Sequence, residues 1–298
     1  MKTLGRLSLA AVCAAYAEVL LGSWTRINGA GMTCPDYPLC RGAVIPQMGG
    51  GTVWEWTHRL LAGILSLLVL AVLGQAWRLR AGVRFAVPAG AVIAVLFGFQ
   101  VFLGAATVHL SNSPASVVWH WGTAMAFVAS LCVMAILAFG AATRTRTPRP
   151  DGLLRTVLAI SAMIAFLTMC VGAYVSSSGA GLACIDIPGC AGRVVVYTPG
   201  QYVQMLHRFI AAACLLSASV AFALAWAHGI STRLRLATTL AFVLVLVQVL
   251  LGLLNVALRL PVDLREAHAA NAALVFLAFV CATAFAVLEN QREYIRAR

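Results

Sequence analysis

Trp54-Glu55-Trp56-Thr57-His58-Arg59-Leu60 opens a long apolar run, and Val203-Gln204-Met205-Leu206-His207-Arg208-Phe209 opens another of the same design. Each stretch places a histidine and then an arginine one turn after a polar residue, at the head of an apolar segment. One copy carries a carboxylate, Glu55, where the other carries an amide, Gln204. A histidine inside a membrane helix is costly, so an intramembrane ionisable group marks a functional site by default. Two in register strengthen that reading.

The surrounding composition puts these stretches in a membrane. Hydrophobic residues make up 62% of the 298-residue chain and charged residues 10%, with a mean hydropathy of +0.93. Soluble domains carry about 25% charged residues. Apolar runs long enough to cross a hydrocarbon core of about 30 Å recur near 7–25, 53–77, 84–108, 116–140, 153–175, 202–227, 233–257 and 265–288. The expected fold is therefore an all-α membrane protein with eight transmembrane helices.

The net charge of +12 follows from topology and implies no nucleic-acid partner. With eight spans, fourteen of the 21 Lys and Arg fall on one side, among them Lys2, Arg6, Arg78, Arg144 and Arg233. Seven, including Arg26, Arg59 and Arg208, fall on the other. Basic residues are retained on cytoplasmic loops, so both termini are expected in the cytoplasm. The first run has the flanks of a signal peptide, but its length and its match to the fifth run predict a retained span. No Arg- and Ser-rich transit segment precedes it, and a bacterial plasma membrane is the expected location.

The two stretches belong to a longer duplication. Leu21-Gly22-Ser23-Trp24 through Cys34 aligns with Val171-Gly172-Ala173-Tyr174 through Cys184, and Cys40 aligns with Cys190. Gln100-Val101-Phe102-Leu103-Gly104 aligns with Gln248-Val249-Leu250-Leu251-Gly252, and His120 with His268. The offset stays between 148 and 150 throughout. Two tandem four-helix bundles related by a parallel internal repeat follow. The halves are residues 1–142 and 153–298, joined by a polar cytoplasmic linker at 143–152.

On this topology His58 and His120 lie four or five residues inside the outer ends of the second and fourth helices. At about 1.5 Å per residue their depths match, and His207 and His268 repeat the arrangement. Bundle cores are where cofactor sites are built from facing side chains, and two imidazoles at one depth suit both faces of a haem iron. Hydrogen bonding across helices and a zinc or copper site are the other readings, the latter without a third ligand near either pair except Glu55. His109 and His228 have no partner in the repeat. Arg59 and Arg208 suit haem propionates, since a guanidinium fork matches a carboxylate; anchoring at the interface is the alternative. Glu55 stands one turn before His58 on the same face, where a carboxylate handles protons or positions substrate. Pairing of Glu55 with Arg59 or Arg26 is the plainer role.

Nine cysteines divide into two groups. Cys13, Cys132, Cys170, Cys214 and Cys281 sit singly in apolar spans, where cysteine acts as a small hydrophobe. Cys34 and Cys40 share the loop after the first span, as Cys184 and Cys190 share the loop after the fifth. Both loops face the oxidising side, so disulfides Cys34–Cys40 and Cys184–Cys190 are expected. They act as structural staples or as a redox-active pair.

Taken together, Glu55-x-x-His58-Arg59, His120, Gln204-x-x-His207-Arg208, His268 and the two cysteine pairs resemble the haem A synthase family over nearly the whole chain. The resemblance implies oxidation of a porphyrin methyl group of haem O to a formyl group, giving haem A for terminal oxidases. It implies His58 and His120 as ligands of the substrate haem O, Glu55 as the catalytic residue, and His207 and His268 as ligands of a haem b cofactor. The cysteine pairs would form disulfides near the haem edges. Haem O synthase and terminal-oxidase assembly are the implied partners besides membrane lipid, together with an electron donor that the residues do not specify. One departure is Ser176, where the family often carries arginine; Arg26 fills the equivalent place in the first half. A di-haem b, quinol-linked electron-transfer cytochrome without substrate chemistry shares the histidine pairs but gives no use to the Glu55/Gln204 difference. A transporter would share the repeat but needs Gly/Pro-broken helices at midplane.

Overall fold

The computed structural model describes residues 1–140, 152–190, 192 and 197–294. The expected linker falls almost wholly outside them. The described residues form eight long α-helices and no strand, only an isolated bridge between Cys40 and Ala43. In chain order they are α1 Lys2–Ile27, α2 Thr52–Arg78, α3 Ala86–His109, α4 Pro114–Gly140, α5 Gly152–Ser177, α6 Pro199–Ala227, α7 Thr232–Ala257 and α8 Val262–Tyr294. All eight are long and apolar enough to cross a membrane. They extend beyond the apolar runs at several ends, because the helix continues into polar residues that hydropathy does not count. At the start of α6, for example, Thr198 and Gln201 close a capping box with Pro199 as the first helical residue, three residues before the apolar run begins.

Contacts divide the chain into two compact units, Met1–Ala138 and Phe139–Arg298. In the first, α1 packs on α2 and α2 on α3. There α4 meets α3 through Phe97 and Phe127, whose ring centroids are 5.5 Å apart. In the second, α5, α6, α7 and α8 close a ring, each packed on the next and α8 on α5.

The duplication read from a few landmarks returns in the packing of each unit. Leu4, Ser8, Ala11, Ala15 and Val19 form the buried stripe of α1, and Leu154, Leu158, Ser161, Ala165 and Met169 form that of α5. Every pair is 150 residues apart, at the three- and four-residue spacing of one helix face. Leu65, Val69, Val72 and Ala76 on α2 correspond likewise to Cys214, Ala218, Ala221 and Ala225 on α6. The second set is smaller, which lets helix backbones approach more closely. Outward positions carry large apolar side chains, such as Leu67, Val95, Phe102, Leu216 and Leu236, all more than 60% exposed. An apolar exterior of this extent belongs in lipid.

The loops repeat too. Gly29 and Gly179 take the left-handed conformation just after α1 and α5, at φ +71° and +74°, where a side chain would be strained. Ser111 and Asn112 after α3, and Arg259 and Leu260 after α7, are left-handed at corresponding positions. Asn112 Nδ2 donates to Gly31 O at 3.0 Å. The counterpart Leu260 instead packs against Gly181, where an added Cβ would come within 2.8 Å of its Cδ1. The place is kept while its chemistry changes from polar to apolar.

Candidate functional site

The first turns of α2 and α6 clamp the two cysteine loops. Cys34–Cys40 and Cys184–Cys190 are disulfides, and all four residues are buried. Glu55, 6% exposed, accepts from Cys34 N at 2.9 Å and from Thr33 Oγ1 at 3.0 Å through Oε2. Its Oε1 is held by Arg59 Nη2 at 2.7 Å, an i,i+4 ion pair. Gln204 does the corresponding work in the second unit. Its Oε1 accepts from Cys184 N at 2.5 Å, and its Nε2 donates to the carbonyls of Gly181 and Cys184.

The arginines complete the clamps. Arg59 donates to the carbonyls of Asp36, Leu39 and Cys34 as well as to Glu55. Arg208 donates to those of Asp186, Pro188, Gly189 and Cys184. Each guanidinium thus carries a loop backbone whose carbonyls need donors. Asp36 tightens the first loop further by accepting from the N–H groups of Arg41 and Gly42, and the Gly42 bond leads the causes that hold its carboxyl below the usual range. Arg208→Ala is expected to cost the second loop about 2–3 kcal/mol, the order of charged hydrogen bonds lost from exposed and half-buried carbonyls. Faster amide deuterium uptake over 182–190, with α5–α8 unchanged, is the measurement.

Inside the clamp of the first unit lies a cavity of about 400 Å³, bordered by residues of all four helices. His58, His120, Glu55, Arg59 and Arg26 all border it. His58 and His120 each stand six residues after the first helical residue, about 9 Å along the axis, the same register on their two helices. The imidazole of His58 lies over Gly22 of α1; a Cβ there would be 2.5 Å from Nε2. That of His120 lies over Gly104 of α3, with a Cβ 3.3 Å from Cε1. Gln100 Nε2 is 3.4 Å from His120 Nε2, and His120 Nδ1 is buried with no hydrogen bond.

The second unit repeats the construction. His207 lies over Gly172 and His268 over Gly252, with hypothetical Cβ atoms 2.9 and 3.2 Å from the rings. Gln248 Nε2 stands 3.1 Å from His268 Nε2, and Asn271 Nδ2 fixes the amide by donating to Gln248 Oε1 at 2.8 Å. The ring centroids of His207 and His268 are 6.5 Å apart. With metal–imidazole bonds of about 2 Å, rings this close would be within reach of one shared metal. A void of about 510 Å³ opens at the ends of α5 and α6 around Gly179 and Pro199, but it reaches neither histidine.

Haem fits these residues on three observations. All four imidazoles rest on glycines that a side chain would obstruct. The rings of one pair stand within reach of one shared metal. Among the described residues, no three His, Cys, Asp or Glu converge on one point, so an ion held by either pair needs its other ligands from elsewhere, as a porphyrin provides.

Glu18 lies outside the motifs that the duplication marks. It lies on α1 and borders the first cavity, 9% exposed, with Oε1 at 3.1 Å from His58 Nδ1. A carboxylate within an apolar run was signal enough to single it out. Its counterpart in the second unit is Thr168, whose main-chain carbonyl is 3.1 Å from His207 Nδ1. His109 ends α3, exposed and outside the cavity lining. Cys13, Cys132, Cys170, Cys214 and Cys281 form no disulfide.

The chain matches the family model described as cytochrome oxidase assembly protein over residues 5–280. It is 28% identical to "Heme A synthase" of Bacillus licheniformis, with 90% of this chain and 91% of that protein covered. It is 33% identical to the protein of the same name from Shouchella clausii, over 72% and 73% of the two chains. The Shewanella oneidensis protein, also named "Heme A synthase", is 27% identical over 88% and 90%.

Proposed function

This chain belongs to the cytochrome oxidase assembly family, and on that premise we propose that it is a haem A synthase. It takes haem O as substrate and oxidises one porphyrin methyl group to a formyl group. The first unit holds the substrate between His58 and His120, and the second holds a haem b between His207 and His268. The observation that carries this reading is the pairing of four imidazoles with four glycines at repeated positions, with Glu18 and Glu55 bordering the cavity of the first pair.

The residues divide the work. Gly22 and Gly104 leave room for the imidazoles of the substrate site, and Glu55, fixed by Arg59 and Cys34 N–H, presents a carboxylate to the same cavity. General acid–base catalysis asks for such a group within reach of the reacting centre. Gln204 gives the second site the same loop clamp without a titratable proton. The haem b supplies one-electron transfer when bound. Arg26, bordering the cavity, is the propionate partner of the first site, while Arg59 and Arg208 spend most of their donors on the loops. The Lys and Arg distribution supports cytoplasmic termini and clamped disulfide loops on the outer face.

Expression in cells that also make haem O tests the proposal. Extracted pigment is expected to contain haem A and a hydroxylated intermediate, and the purified protein haem b in addition. Haem b at both sites and no oxidised product would mean a di-haem electron carrier instead.

A further inference from the structure

We propose that Glu18 is a positioning residue for the first site, the hydrogen-bond acceptor for His58 Nδ1–H, and that it gives the iron there a lower reduction potential than the iron in the second site. The inference rests on the assignment of His58 and His207 as iron ligands.

Four observations carry it. Glu18 Oε1 is 3.1 Å from His58 Nδ1. Neither Glu18 oxygen has a hydrogen bond, although both are buried, and a buried carboxylate without partners is costly. The side chain borders the cavity that His58 and His120 share. The fourth observation comes from the repeat: 150 residues on, the same helix position presents Thr168, whose backbone carbonyl stands 3.1 Å from His207 Nδ1. Thr168 keeps its own hydroxyl on Ile164 O, so only the carbonyl serves the ring.

The Glu18 contact has the distance of a hydrogen bond without its alignment, and rotation of the imidazole about χ2 is what completes it. A metal-bound histidine donates its other N–H to a carboxylate or a backbone carbonyl, which fixes the tautomer and raises the basicity of the ligand. With Nδ1–H committed to Glu18, Nε2 is the nitrogen left for iron. A carboxylate is a stronger acceptor than a carbonyl, so His58 is the more electron-donating ligand of the two and favours ferric iron. Two sites of the same ligand type are thereby made unequal, with the electron-rich iron on the substrate side.

Spectroelectrochemical titration of the purified, haem-loaded protein tests this by separating the two midpoints. Glu18→Gln is expected to raise the first-site midpoint by a factor of ten in the reduced-to-oxidised ratio, about 59 mV for one electron, and to leave the second unmoved. Thr168→Glu, which builds the carboxylate into the other half, is expected to lower the second midpoint by a similar factor. Midpoints unchanged in both variants, with both haems bound, would overturn the role of Glu18. A wild-type protein with no haem at His58 and His120 would instead overturn the site assignment beneath it. A Glu18→Gln protein that binds haem with altered stability but the wild-type midpoint would show a packing role only, and also sink the proposal.

Discussion

Glu55→Gln is expected to stop haem A formation, by a factor of at least a hundred, while the protein still folds and still binds haem at both histidine pairs. The substitution is chosen by the protein's own duplication. Gln204 occupies the same position in the second unit and fastens its loop through Cys184 N–H, so glutamine at 55 can accept from Cys34 N–H in the same way. What it loses is the charge opposite Arg59 and the ability to carry a proton. A general acid or base contributes typically 10²–10⁴-fold, which sets the expected loss. Glu55→Ala removes the acceptor as well, leaving Cys34 N–H unpaired at a cost of about 1–3 kcal/mol while Thr33 Oγ1 keeps Ala30 O; its failure would therefore mix two causes. Chromatography of extracted haems, alongside the absorption spectrum of the purified protein, separates chemistry from loading. Wild-type product from Glu55→Gln would confine Glu55 to the clamp and leave Glu18 as the remaining carboxylate in the cavity.

That pairing of carboxylates shows where sequence reading reached and where it stopped. Membrane spans are legible because hydrocarbon admits few polar residues, so the eight runs fell within a few residues of α1–α8 except at capped or charged ends such as Lys2–Arg6. The duplication was legible from six landmarks, and the structure supplies the reason those landmarks repeat: Gly22, Gly104, Gly172 and Gly252 are the floors on which the histidines lie. Nothing local to a glycine says which ring will cover it, since the ring comes from another helix. The arginines were read as propionate partners from their chemistry alone. The loop that folds back over them is a tertiary feature, and it presents three backbone carbonyls to Arg59 and four to Arg208. Glu18 is not legible from the duplication because the repeat breaks at its position: the partner is a threonine that acts through its backbone, which no side-chain comparison detects.

The glycine floors give the other large effect, and it should be confined to one site at a time. Gly172→Val is expected to reduce haem content from two to one per chain by emptying the second site, whereas Gly22→Val should empty the first. The reason is steric. A Cβ at Gly22 would sit 2.5 Å from His58 Nε2, and one at Gly172 2.9 Å from His207 Cε1. Both are closer than unbonded atoms tolerate, so the ring must swing away from the position that serves a metal. Overpacking a buried site costs about 1–3 kcal/mol, which the long helices can absorb without unfolding, so the variants should remain assembled and be readable by haem quantitation. Gly104 and Gly252 are more forgiving, with the corresponding contacts at 3.3 and 3.2 Å. Alanine at either should therefore weaken haem retention only modestly, while alanine at Gly22 should already impair it severely. Only Gly22→Val should also remove the substrate ligand, giving a protein that keeps its haem b and makes no haem A. Loss of both haems from a single substitution would mean that the two sites are not independent, and that the floors serve bundle assembly in place of separate histidine pockets.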